Sequence, residues 1–105
     1  MEEERTFDEL IRLIVNWADD RKLIDKQNVD RQLIKVYEEV GELSAAILKN
    51  NYPKILDGIG DSFVTLIILS AQLGLHPEVC LGVAYEEIKS RTGETKNGIF
   101  IKDNE

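Results

Sequence analysis

Apolar residues recur three and four apart along most of the chain, the spacing of helices that each bury one face. Phe7, Leu10, Ile11, Ile14, Val15 and Ala18 predict a first helix over about residues 7–21. Thr6 and Glu9 stand at its start with the separation of a capping box, and Arg21 and Lys22 suit its negative end. Trp17 falls near the end of the stripe and is expected at the edge of the core. Residues 23–29 read as a connection, with Asn28 or Asp30 able to cap the next helix. Leu33, Val36, Tyr37, Val40, Leu43, Ile47 and Leu48 mark a second helix over about residues 30–49. Asn50-Asn51-Tyr52-Pro53 breaks the pattern, and Pro53 fits the first turn of a third helix over about residues 53–73.

That third helix is apolar nearly all round from Phe63 to Leu73. A helix apolar on every side must be covered on every side. A four-helix chain of this size can hardly do so alone, so a homo-oligomer, dimer or tetramer, is expected, with this helix near the interface. Gly74 fits a helix C-terminus, and His76-Pro77 opens a fourth helix over about residues 77–90, with Val79, Leu81, Val83, Ala84 and Ile88 apolar. Beyond Arg91, Thr92-Gly93 and Asn97-Gly98 are turn signals around the short apolar run Ile99-Phe100-Ile101. This predicts a short extended tail that can cover a neighbouring subunit. The expected class is therefore all-α, a four-helix bundle forming one domain over residues 1–105.

Composition narrows the partners. With 105 residues, 43% hydrophobic and 31% charged, the sequence is globular rather than disordered. A net charge of −7 argues against a duplex nucleic-acid footprint. It leaves room for a phosphate substrate, because a bound metal inverts local electrostatics. One cysteine, Cys80, makes no intrachain disulfide and lies among apolar residues, so it is expected in the core and the chain in the cytoplasm. Met1-Glu2-Glu3-Glu4 is unlike the basic start of a signal peptide, and the run from Phe63 to Leu69 is far shorter than a bilayer span, so a soluble protein without membrane partners is expected.

The second helix carries a charged stripe beside its apolar one: Lys35, Glu38, Glu39 and Glu42. Asp57 and Asp61, four apart, sit in the first half of the third helix. Consecutive helices joined by a short break pack antiparallel, which would gather these five carboxylates. Two unit charges about 4 Å apart repel by roughly 4 kcal/mol at an effective dielectric near 20. A hard divalent cation, Mg²⁺ or Mn²⁺, relieves that repulsion with oxygen ligands. The ordinary reading of an acidic helix face is solvation. Against it stand Gly41, Gly58 and Gly60, since helical glycine costs about 1 kcal/mol against alanine and marks a close approach or open space. His76 fits a helix cap better than a ligand, and neither a P-loop nor paired Glu-x-x-His motifs are present.

Glu38-Glu39-Val40-Gly41-Glu42-Leu43 together with Gly60-Asp61 resembles the MazG-like nucleotide pyrophosphohydrolases, whose signature is Glu-Glu-x-x-Glu followed by Glu-x-x-Asp on the next helix. Lys35, the stretch Glu87-Ile88-Lys89-Ser90-Arg91-Thr92-Gly93 and Lys96-Asn97-Gly98-Ile99-Phe100 extend the likeness. The resemblance implies an all-α oligomer that hydrolyses nucleoside triphosphates to monophosphate and pyrophosphate with Mg²⁺. It implies Glu39, Glu42 and Asp61 as metal ligands and a water-orienting role for Glu38. The chain departs from the signature at Gly58, three before Asp61, where the family has Glu; Asp57 is the candidate substitute ligand. Phosphate chemistry needs positioning and charge stabilisation. Lys35 would assist catalysis, while Lys54, Lys89, Arg91 and Lys96 would meet phosphates and Asn97 a base or ribose, each with solubilising charge or turn formation as its ordinary role. The alternatives are a non-catalytic helical oligomer and a nucleotide-sensing module on the same scaffold.

Overall fold

The computed structural model describes residues 4–103; the acidic start at Met1, Glu2 and Glu3 lies outside the described residues. The order of elements is α1 (Phe7–Asp20), a 3₁₀ turn (Lys26–Asn28), α2 (Val29–Leu48), α3 (Tyr52–Gln72), α4 (Pro77–Ile88), β1 (Gly93–Lys96) and β2 (Ile99–Lys102). The helices start and stop where the punctuation predicts, within two residues. Thr6 and Glu9 form the reciprocal capping box of α1, each bond 3.1 Å. Lys22, at φ 61°, turns the chain out of α1, and Leu23 N–H bonds back to the Ala18 carbonyl. Gly74, at φ 74°, does the same for α3. Asn28 and His76 occupy the N-cap positions of α2 and α4, but neither side chain makes a capping hydrogen bond.

The chain is mainly α-helical, as expected, and its extended tail pairs with itself as one small sheet. The tail is an antiparallel hairpin with Gly93 opposite Lys102 and Lys96 opposite Ile99. Asn97 and Gly98 both take positive φ, 53° and 78°, the turn whose twist matches that of two paired strands. A Cβ on Gly93 would collide with the Ile101 carbonyl and lie 2.9 Å from Lys102 Cα, so glycine is needed there for the strands to meet.

The α2–α3 pair is the centre of the fold. Asn51 caps α3, accepting from Lys54 N–H, and the intervening Asn50 takes φ 54°, so α3 turns back along α2 after a very short break. Gln32, Val36, Glu39, Leu43 and Ala46 recur at helical spacing as the more buried residues of α2. Opposite them lie Gly58, Asp61, Thr65 and Ile68 of α3. Gln32 Nε2 donates to the Thr65 carbonyl at 3.0 Å. At the other end of the contact a Cβ on Gly58 would stand 3.3 Å from Leu43 Cα and Cβ. Gly58 therefore sets how closely the two helices approach. A Cβ on Gly41 would meet nothing within 4 Å, so the glycine that permits the α2–α3 contact is the one on α3.

α1 packs on α3 through Ile11, Ala18 and the half-buried Ile14 and Val15, and α4 meets α3 only sparsely. All of α4 from Glu78 on is exposed, which corrects the expectation that Cys80 is a core residue: the helix that carries it has no covered face. Trp17 is half exposed, its ring under the Arg21 guanidinium at 4.2 Å. The surface area is 8763 Å² and the radius of gyration 16.5 Å. A compact monomer of 12.0 kDa has about 6,000 Å² and about 13 Å. By length and composition α3 is long and apolar enough to cross a membrane, yet within one chain only 28% of that apolar window is buried. Its first half also carries Lys54, Asp57 and Asp61.

Gly58→Glu places a side chain where the backbone of α2 lies and forces α2 and α3 apart at Leu43. It should lower stability by about 1–3 kcal/mol in urea unfolding, as overpacking does; an unchanged midpoint would show that α2 yields freely.

Candidate functional site

The α2–α3 register decides which carboxylates meet. Glu39 is the acidic residue that α2 turns toward α3, which is why it is half-buried while Glu38 and Glu42 are exposed. Asp61 is the half-buried acid on the facing side of α3, and Asp57 lies one turn before it. A groove of about 440 Å³ between the two helices is lined by the acids Glu42, Asp57 and Asp61 and by Lys49, Asn51 and Lys54. Gly58 and Ala46 form its floor. Small residues there are a direct result of the close helix approach.

The acids lie near enough to raise one another's affinity for protons. Burial raises the Asp61 carboxyl above its ordinary range, and the charge of Asp57, a side-chain hydrogen bond with Asp57 and the charge of Glu42 raise it further. Glu39 is raised by burial, then by Glu42 and Asp61, with Glu38 adding a little and Lys35 opposing. Across the helix contact Asp61 thus acts on Glu39 and Glu42 acts on Asp61, while Asp57 acts on Asp61 along α3 and Glu38 on Glu39 along α2. Lys35 pairs with Glu38 at 3.6 Å on the exposed flank of α2.

Fit to a divalent cation divides into chemistry and placement. The donors are hard carboxylate oxygens that repel one another, the setting such a cation relieves. As placed, however, no three His, Cys, Asp or Glu side chains among the described residues form a group able to hold a metal ion. Glu42 and Asp57 are exposed and free to change rotamer.

Of the residues singled out from the sequence, the structure brings Glu42, Asp57, Asp61 and Lys54 to one groove and Glu39 beside it. Lys89, Arg91, Lys96 and Asn97 do not line that groove. Lys89 pairs with Glu86 at 2.8 Å, Arg91 with Glu87 at 3.0 Å and Lys96 with Glu94 at 3.4 Å, while Asn97 forms the hairpin turn. Sequence reasoning missed Lys49 and Asn51. Lys49 lies two turns beyond Glu42 on the same helix face, a spacing that could have placed it.

No family model matches the chain, and no solved structure matches it. A protein described as an uncharacterized 18.2 kDa protein in the rep-hol intergenic region of Haemophilus phage HP1 (strain HP1c1) is 44% identical over 64 residues. The shared stretch is 61% of this chain and 39% of that protein, so the chain spans well under half the length of the relative it matches.

Because Asp61 and Glu39 bind protons more tightly folded than unfolded, their contribution to stability is greatest in acid. It falls as pH rises from the unfolded carboxylate range through the raised folded values. Asp61→Asn removes one of these ionisations. Without divalent cations the variant should be more stable than wild type near neutral pH, and its urea midpoint should fall less between about pH 4 and pH 7. A variant less stable than wild type at neutral pH would refute the coupling.

Proposed function

We propose that this protein is a Mg²⁺-dependent nucleoside triphosphate pyrophosphohydrolase working as a homo-oligomer. The observation that carries the reading is the convergence of Glu39 and Glu42 with Asp57 and Asp61 across one helix contact, beside a groove that also holds Lys49 and Lys54. The resemblance of the Glu38–Leu43 stretch and Gly60-Asp61 to the MazG-like enzymes supports the same reading.

In this reading Glu39, Glu42 and Asp61 would hold Mg²⁺, with Asp57 in place of the ligand that Gly58 cannot supply. When bound, the cation would neutralise phosphate oxygens and acidify a water molecule. Lys49 and Lys54, which line the same groove, would bind the far phosphates and offset the charge of the departing pyrophosphate. Glu38 accepts a proton from the water that is added across the α–β phosphoanhydride, and Lys35 holds its carboxylate by the ion pair on α2. Lys89, Arg91, Lys96 and Asn97 belong in this site only as contributions from a second copy.

Oligomerisation is supported by area. The chain exposes roughly 2,800 Å² more than a compact monomer of its mass. An ordinary stable interface takes about 800 Å² from each partner. Leu33, Tyr37, Val40 and Ile47 form a second apolar stripe on α2, beside the face that packs on α3, and are exposed. The hairpin has all its residues exposed, and an isolated two-stranded hairpin is marginal in water. One observation favours a nucleotide-binding module without turnover: Gly58 is packed against Leu43, which leaves one acidic ligand fewer than the family signature.

Pyrophosphate release from a panel of nucleoside triphosphates should require Mg²⁺ and fall by about 100-fold or more in Glu42→Gln. Mg²⁺ should also raise the thermal midpoint of the wild type and not of that variant. Binding without release would identify the sensing module, and neither would sink the reading. Light scattering should return at least twice the 12.0 kDa of one chain; a monodisperse monomer would remove the oligomer.

A further inference from the structure

α4 stands apart from the rest of the chain. Every residue from Glu78 to Ile88 is exposed, and an open cleft of about 620 Å³ lies between its root at Leu75 and Pro77 and Ile11 and Val15 of α1. Leu81, Ala84, Tyr85 and Ile88 share one side of α4, at the spacing i, i+3, i+4 and i+7. Glu86 and Glu87 lie off that side and pair with Lys89 and Arg91. The body, in turn, exposes a trough that α4 of the same chain does not cover. A groove of about 530 Å³ runs between α1 and α3, with Phe7, Leu10 and Ile14 on one wall and Phe63 and Val64 on the other. It shares Leu10, Ile14 and Val64 with a hollow of about 330 Å³ that continues to Leu13 and Trp17, where no charged residue among the described residues lines it. Phe7, Leu10, Leu13, Trp17 and Phe63 are each between 41% and 48% exposed, and an open apolar patch of that kind marks an interaction surface.

We propose that α4 of one copy lies in the α1–α3 trough of a second copy, which returns its own α4, so that two chains complete each other's bundle. The inference rests on the homo-oligomer of the reading above, not on its chemistry, and says which surfaces build it. A helix that lays an apolar face into a groove anchors it through side chains at i, i+3, i+4 and i+7, and α4 carries that set. Length agrees: Leu81 to Ile88 rises about 11 Å, and the trough from Phe7 to Trp17 runs about 15 Å. Area agrees as well. The roughly 2,800 Å² that the chain exposes beyond a compact monomer exceeds the about 800 Å² that each partner gives to a stable interface. Arm and trough belong to one chain, so each copy brings one of each, and reciprocal exchange closes on a two-fold axis with neither left open. The fourth helix of each bundle is then drawn from the other copy, which is why it has no covered face within its own chain.

Leu81→Glu and Leu13→Lys test the proposal in the full-length chain by sedimentation, each alone and the two mixed. Both side chains are exposed within one copy, so neither change enters its core, and circular dichroism should show unaltered helix content. Each variant alone places a charge in every α4–trough contact. That should loosen association about 100-fold or more and leave the 12.0 kDa single chain. Mixed in equal amounts, the two variants should return a particle of twice that mass, because one contact is then wild type and the other sets Glu against Lys. An assembly that survives Leu81→Glu or Leu13→Lys would overturn the exchange and leave the homo-oligomer standing on another surface. Variants that dissociate alone and stay apart when mixed would overturn it too, since the two surfaces would then not face each other. A wild type that sediments as a monomer would remove the homo-oligomer first and this proposal with it.

Discussion

The distance between α2 and α3 at Gly58 and Leu43 governs the rest of the molecule. Because no side chain separates the helices there, two acidic faces that would otherwise lie in solvent are drawn beside each other. Burial and like charge then act together on Asp61 and Glu39, and both favour the protonated form. The same approach opens a groove floored by Gly58 and Ala46 rather than by large side chains. Helix packing and site electrostatics are one constraint seen at two levels. Gly58 is the residue that lets the two helices, and the acids they carry, come close.

Much of this was legible in the sequence, for reasons that are local. Thr6 and Glu9, Pro53, Gly74 and Pro77 determine helix ends through their own backbone and capping chemistry, so the boundaries follow from a few residues each. The acidic faces follow from spacing alone. Which acid faces the partner helix does not. Glu38, Glu39 and Glu42 share one broad face, and only the register set by Gln32 with Thr65 and Leu43 with Gly58 turns Glu39 inward. The hairpin was harder still. Asn97-Gly98 announces a turn, but pairing required Gly93 to have no side chain, a condition visible only once the strands are opposite each other.

Cys80 shows where local reading fails. Its neighbours Val79, Leu81 and Val83 are apolar, and in a closed bundle such a segment is core. Here the fourth helix leaves the body and exposes them all. Apolar periodicity says that a surface will be covered and is silent about which chain covers it. The same silence applies to the stripe of Leu33, Tyr37, Val40 and Ile47 on α2.

The break between α2 and α3 is a matter of two asparagines, Asn50 in a left-handed turn and Asn51 capping the start of α3. Partners joined by so short a loop find each other early, since little chain entropy stands in their way. The acidic groove is thus assembled by neighbours in sequence, before α1 or α4 need take its place. Charge crowding enters the folding reaction at its start.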